Sequence, residues 1–377
     1  MALAVVDDLA RLVAFPTVSS RPLTELAAWL ARRCADLGFR VERFPAPGEP
    51  EKCSLIASIG PPGTNGLVLS GHMDVVPVVG QPWTTDPFVL TERDGNLLGR
   101  GSADMKGFFA ATLQALARIP RDAYRRELVL VWTHDEEIGC LGSAQLVEHV
   151  TQTGRSFPTA CLIGEPTDFQ VLRMHPGHVA MELVVTGRAA HSSRPDLGLN
   201  AIEGAARLVA AASRLADDLS KEQADIPEID RPWVAFNVAT IEGGNAINIV
   251  PDRCVVRIGY RPLPGMHSDT VFERLVDRIP DDLRPRTTAR ILRRTPSLLT
   301  ERGTPLEDSL AHHALTHHVG AASFATDGGN LAKLGLKPLV FGPGSITVAH
   351  QPDEHIPIAQ LVRAVDVVED VVRRACC

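Results

Sequence analysis

The stretch LVLSGHMDVVP, residues 67–77, decides the fold. A short apolar run that reads as a buried strand leads straight into a histidine and a carboxylate, His72 and Asp74. Open α/β sheets place ligands at such strand ends. Residues two apart in an extended segment point to the same side, so the two side chains share it. A carboxylate beside an imidazole is what a metal-bound histidine needs to fix its tautomer and orientation.

Outward from this strand the pattern repeats. GRGSADMKG sets Asp104 just before the helical run MKGFFAATLQALARI, among glycines that let other chains approach. The strand ELVLVWT exits into HDEEIG, where Glu136 and Glu137 are adjacent and diverge if the segment is extended. CLIGEPTD ends a buried strand at Glu165, and FGPGSITVAHQPDEHIP supplies His350 after another. Any one of these is ordinary, because caps and turns are common at strand ends. Together, five strand-end positions offer two imidazoles and three carboxylates without cysteine, a donor set suited to zinc or cobalt.

Strands and helices alternate through this half, which predicts an α/β sheet with helices on both faces. The pattern changes at His178. A strand HVAMELVVTG, a helix over 200–218, strands WVAFNVATIE and CVVRIGY, a helix over 268–279 and a closing strand in TARILRR follow in the order of a ferredoxin-like α+β domain. The α/β style resumes at Leu306 and ends in a helix over 358–374. The expectation is a split catalytic domain, 1–177 and 290–377, with mixed sheet, and an inserted lid and dimerisation domain at 178–289.

Composition narrows the function classes. A length of 377 residues suits two domains at roughly 150 residues each. A net charge of −7 offers no basic surplus for nucleic acid or an anionic membrane, and two Tyr are too few for base-stacking platforms. No apolar run reaches the roughly 20 residues that span a bilayer. The first segment, ALAVVDDLARLVAF, reads as an amphipathic helix, since Asp7, Asp8 and Arg11 interrupt it. Seven cysteines without a C-x-x-C pair form neither a zinc ribbon nor a disulfide framework, so a reducing cytoplasm is expected. Several of them read as small buried hydrophobes, with Cys376 and Cys377 as a frayed tail. AHHALTHHV sets His313 and His317 at helical spacing, but a zincin-like site needs a Glu between them and a third ligand, so a solvated helix face is expected. No G-x-S-x-G elbow is present, and GPPGTNG lacks the Lys-Ser/Thr of a phosphate loop.

As an ordered set, GHMDVVP, GRGSADMKG, HDEEIGCLGS, GEPT and GPGSITVAHQPDEHI resemble the di-zinc family that includes acetylornithine deacetylase, succinyl-diaminopimelate desuccinylase, aminoacylase and carboxypeptidase G. The resemblance runs over nearly the whole chain. It implies two divalent ions, zinc or cobalt: His72 and Glu165 on one, Glu137 and His350 on the other, Asp104 bridging. It also implies Glu136 as the general base and Asp74 as the residue that orients His72. GRAAHSSRPDLGLNAIE resembles the family's lid and dimerisation segment, which implies that His191 reaches across a homodimer to stabilise the oxyanion. Asn248 in NIVPD and Arg261 in YRPLPGM fall on substrate-contact positions, Arg261 as the holder of a carboxylate.

The chain departs from the family at two places. Gly259 stands where many relatives carry Asp, and ATDGGNL at 325–331 matches no single substrate class. HQPDE favours acetylornithine deacetylase over the desuccinylase. The expected activity is therefore hydrolysis of N2-acetyl-L-ornithine to ornithine and acetate, a step of arginine biosynthesis. The alternatives on the same site are a desuccinylase, an aminoacylase or a metallodipeptidase. A non-catalytic binding protein on this fold is the alternative from another class; loss of a ligand or of the base would mark it, and none is lost.

Overall fold

A computed structural model describes residues 2–19, 21–316 and 319–377. The chain forms two compact units, one comprising Met1–Met174, Thr300–Ala322 and Thr326–Cys377, the other His175–Leu299 with Ser323–Ala325. In chain order the first unit begins with α1 (Ala2–Val13), α2 (Thr24–Asp36), β1 (Arg40–Ala46), β2 (Glu49–Ile59), β3 (Gly66–His72), α3 (Gly107–Ala117), β4 (Glu127–Thr133), α4 (Leu141–Thr153), β5 (Ala160–Ile163) and β6 (Leu172–His175). The second unit holds β7 (His178–Thr186), α5 (Ala201–Lys221), β8 (Ala235–Gly243), β9 (Arg253–Arg261), α6 (Thr270–Asp277) and β10 (Thr287–Thr295). The chain then returns to the first unit with α7 (Pro305–Ala311), β11 (Lys337–Val340) and α8 (Ile358–Cys376).

The large mixed sheet runs β1-β2-β4-β3-β5-β11-β6. Its centre is parallel: β3 pairs with β4 and with β5, and β11 pairs with β5. Strands covered on both faces read as unbroken apolar runs, and β4, ELVLVWT, is buried at every position. Val5, Leu9 and Leu12 of α1, Phe108 and Leu113 of α3, and Leu361 and Val368 of α8 join one core with the strand residues Leu67, Leu69 and Leu130. Because β3, β4 and β5 are parallel, their carboxyl ends lie side by side. His72 is in register with Thr133, and Ser70 with Ile163. Gly164 follows β5 where a Cβ would lie 2.0 Å from the Phe108 ring, so α3 reaches the end of β5 only because no side chain intervenes.

The second unit is a four-stranded antiparallel sheet in the order β8-β9-β7-β10, with α5 and α6 in its core. Val179, Met181, Leu183 and Val185, alternate residues of β7, pack with Leu208 and Leu215 of α5 and Leu275 of α6. Asn200 caps α5 by accepting from the Ile202 and Glu203 amides. The boundary expected between 289 and 290 falls inside β10, which pairs along β7, so the inserted unit extends to Leu299. The strand is easily undercounted, for TTARILRRT is an edge whose positions are only half-buried or exposed until Thr295.

Two other expectations are corrected. Helix α7 ends at Ala311, so His313 lies beyond it, its Nε2 2.8 Å from Asp370 Oδ2 on α8. Arg363 also binds the His313 carbonyl, turning the chain onto α8, so among the described residues no helix presents His313 as a solvated face; His317 lies outside the described residues. The carboxyl end is docked rather than frayed, since the Cys376 carbonyl accepts from the Arg125 and Arg126 amides and only Cys377 is exposed. The other six cysteines are buried, and none of the seven is joined in a disulfide. No helix of the described residues is long and apolar enough to cross a membrane.

Candidate metal centre

The sheet's carboxyl edge brings His72, Asp104, Glu137, Glu165 and His350 together. His72 ends β3, Glu137 follows β4 by four residues and Glu165 follows β5 by two. Asp104 lies in the irregular turn before α3, in the segment Ser102–Lys106. The two Asp104 oxygens face different histidines: Oδ1 is 2.9 Å from His72 Nε2, and Oδ2 is 3.3 Å from His350 Nε2. Glu165 Oε1 is 3.7 Å from the same His72 nitrogen, and Glu137 Oε2 is 3.0 Å from the same His350 nitrogen. Ligand atoms of His72, Asp104 and Glu137 all lie within 4.8 Å of one another. The His350 side chain is 50% exposed against 1% for His72, so the cluster opens on the His350 side.

Glu136 belongs to a different group. It clusters with Cys140 and Asp327, and its Oε1 accepts from Cys140 Sγ at 3.2 Å. The carboxylates of Glu136 and Glu137, adjacent in sequence, therefore face different neighbours, and the chain carries them in a turn, after Asp135 at φ 52, where the sequence alone reads as extended.

Asp74 acts otherwise than expected. His72 Nδ1 lies 2.9 Å from the Asp74 backbone carbonyl, whereas the carboxylate is 3.8 Å away. A carbonyl only accepts, so Nδ1 carries the proton and Nε2 is left to serve as a ligand. The Asp74 carboxylate instead accepts from Ser19 Oγ and from the amides of Glu136 and Glu137. It fixes the turn that carries both glutamates. Ser19 and Asp327 had no mark in the sequence beyond the unusual ATDGGNL string, because their partners come from distant segments.

The electrostatics fit cations. Burial raises Glu136 and Glu165 well above the usual carboxylate range, and burial with the Asp104 charge lifts Glu137 to about 7. Hydrogen bonds to Asp104 and Glu137 raise His350 to about 10. Burial opposes the charge of Asp104, but hydrogen bonds from His350 and His72 outweigh it and hold that carboxyl well below its ordinary value. A buried set of carboxylates and imidazoles that retains protons in this way is one from which divalent ions would displace them. Nitrogen and oxygen donors without thiolate suit zinc or cobalt.

In the second unit, His191 and Asn248 sit on adjoining segments: His191 bridges Ile249, and the Asn248 carbonyl accepts from the Ser192 amide. Arg261 ends β9, and no hydrogen bond or ion pair holds its guanidinium among the described residues. Burial and the charges of Arg261 and Arg293 depress His178 to about 4. A Cβ at Gly259 would meet nothing closer than His178 Nε2 at 3.8 Å, so a side chain fits there. Gly259→Asp is accordingly expected to restore a carboxylate beside these cations and to move His178 upward from about 4, because a nearby negative charge favours imidazolium. An NMR titration of the imidazole would show no movement if the introduced carboxylate pointed elsewhere.

Comparisons agree with this architecture. Residues 68–374 match the model of peptidase family M20/M25/M40. A tripeptidase from Staphylococcus aureus subsp. aureus Mu50 has a similar structure, with TM-score 0.75 and 19% identity over 100% of this chain and 98% of that one. The M20 family metallo-carboxypeptidase Sso-CP2 from Sulfolobus solfataricus gives 0.75 and 19% over 98% of both chains. The Bacillus subtilis YxeP protein, described as a dinuclear metal-binding peptidase, gives 0.70 and 13% over 99% of this chain and 98% of that one. At such identities the likeness to these structures shows a shared fold.

Proposed function

This chain belongs to peptidase family M20/M25/M40, and from that premise we propose that it hydrolyses the amide bond of an N-acyl amino acid with two divalent metal ions, N2-acetyl-L-ornithine being the leading substrate. The observation that carries the reading is the division of the Asp104 oxygens between two histidines, each paired with its own glutamate. His72 and Glu165 would hold one ion, Glu137 and His350 the other, and Asp104 both. Bound there, zinc or cobalt supplies Lewis acidity toward the carbonyl and acidifies water.

Glu136 does the proton work. Its amide is tied to Asp74, and its carboxylate stands outside the His72, Asp104 and Glu137 group, which leaves it free to take the proton of the attacking water. It returns that proton to the leaving amine. Arg261 and Asn248 bind the substrate, Arg261 through its carboxylate. His191 serves a neighbouring subunit of a homodimer: the Ser193 amide donates to its Nδ1, so Nε2 carries the hydrogen to offer an oxyanion. Support for the dimer comes from the lid resemblance and from Ile247 and Ile249, exposed apolar residues flanking Asn248. Cysteines that form no disulfide support a cytoplasmic setting, and the leading substrate would place the reaction in arginine biosynthesis.

A second reading, a small peptidase, is favoured by the names of the similar structures, a tripeptidase and a metallo-carboxypeptidase. Specificity constants for acetylornithine, acetylcitrulline, succinyl-diaminopimelate, acetylmethionine and simple dipeptides separate the two. The deacetylase reading expects acetylornithine to lead, and a panel led by dipeptides would replace it with the peptidase.

A further inference from the structure

The segment that supplies His350 also reaches back to Asp104. Glu354 is buried, and its Oε1 accepts from the Ala103 and Asp104 amides, both at 3.0 Å. Its other oxygen receives Arg100 Nη1, and each side chain of this pair is only 1% exposed. Arg100 Nη2 donates to Gln81 Oε1 at 2.6 Å, and Gln81 Nε2 donates to the His350 carbonyl at 2.8 Å. Trp83 closes the cage: its ring lies under the Arg100 guanidinium at 5.1 Å, and its Nε1 donates to Gln81 Oε1. His350 has φ 63, a left-handed conformation uncommon for a residue other than glycine, and Gln81 grips the carbonyl of that residue.

The chain of bonds thus starts on the backbone of one candidate ligand and ends on the backbone of another, without touching either ligand's side chain. A buried ion pair is costly to desolvate and is weak evidence of added stability. This one joins the turn of Asp104, which faces both histidines, to the segment that presents the half-exposed His350.

We propose that Gln81, Arg100 and Glu354 are positioning residues that set the backbones of Asp104 and His350 so that the two-ion cradle is formed before ions arrive. The proposal rests on the two-ion reading above. Its test is zinc binding by the full chain, stripped with chelator and titrated against a competing chelator, beside thermal unfolding of the stripped protein. Wild type is expected to take two ions. Gln81→Ala should weaken one of them by about 10- to 100-fold, the usual effect of losing an outer partner of a ligand, and leave unfolding of the stripped protein unchanged. Glu354→Gln should weaken both, since Asp104 serves both. Arg100→Lys should recover part of the affinity that Arg100→Met loses. If Glu354→Gln does not fold, Gln81→Ala decides. Wild type that takes no zinc overturns the two-ion reading and the proposal with it. Wild type that takes two, with Gln81→Ala matching it at both sites, overturns the proposal alone.

Discussion

Glu136→Gln is expected to lower kcat by about 10²- to 10⁴-fold with KM little changed and both ions retained, the range set by loss of a general acid and base. That is about 3 to 5 kcal/mol of barrier. The change is isosteric, and the partner of the Glu136 carboxylate, Cys140 Sγ at 3.2 Å, can donate equally to an amide oxygen. The backbone amides of Glu136 and Glu137 remain tied to Asp74, so the turn stays in place. Glu137→Gln should behave oppositely and show its first loss in metal content, because that carboxylate faces His350. Steady-state kinetics together with metal analysis separates the two. Wild-type turnover by metal-loaded Glu136→Gln would move the base to another group, with Asp327 of the same cluster the next to replace.

Three of the five ligand candidates, His72, Glu137 and Glu165, were legible because each ends or closely follows a strand whose apolar run announces the sheet's carboxyl edge, whereas Asp104 announces itself only by its place among glycines before a helix. ELVLVWT then HDEE, or ACLIG then EPT, marks both where the chain emerges and what it presents. The lid was legible through the alternation of β7, although the edge strand β10, with Arg290 and Arg294 exposed, concealed the boundary. What supports the ligands was not legible. Asp74 lies two residues from His72 in sequence, yet its carboxylate is taken by amides more than sixty positions away, which only sheet register brings near. Gln81, Arg100 and Glu354 are ordinary polar residues until a buried amide or carbonyl needs them.

HQPDE takes on another meaning for the same reason. Asp353 accepts from the Thr84 amide and hydroxyl, and Glu354 holds the Asp104 turn. The acidic residues of that string are engaged in shaping the cradle, so the string reads the architecture of the metal centre and leaves the substrate's side chain to the specificity panel.

Lys52→Met is expected to destabilise the first unit by about 3 to 5 kcal/mol, the cost of removing one partner from a buried ion pair. Lys52 lies on β2 with its Nζ 2.9 Å from Asp135 Oδ2, and the two side chains are 8% and 4% exposed. Asp135 Oδ1 has no hydrogen-bond partner among the described residues, so without Lys52 the whole carboxylate is stranded away from water. Asp135 also has φ 52 and immediately precedes Glu136, and His134 beside it is held through Nδ1 to Ser54 Oγ of β2. Strand β2 therefore fastens the start of the turn that carries Glu136 and Glu137 at two points. Calorimetry should show the unit's transition falling by about 6 to 20 °C. Lys52→Met combined with Asp135→Asn should recover most of the loss, since a neutral amide is cheaper to bury than an unpaired charge and asparagine tolerates the left-handed backbone. That recovery separates removal of a charge partner from simple loss of packing by the lysine stem. A single variant that melts with wild type would mean that the turn is held by Ser54 and the Asp74 carboxylate without help from the ion pair.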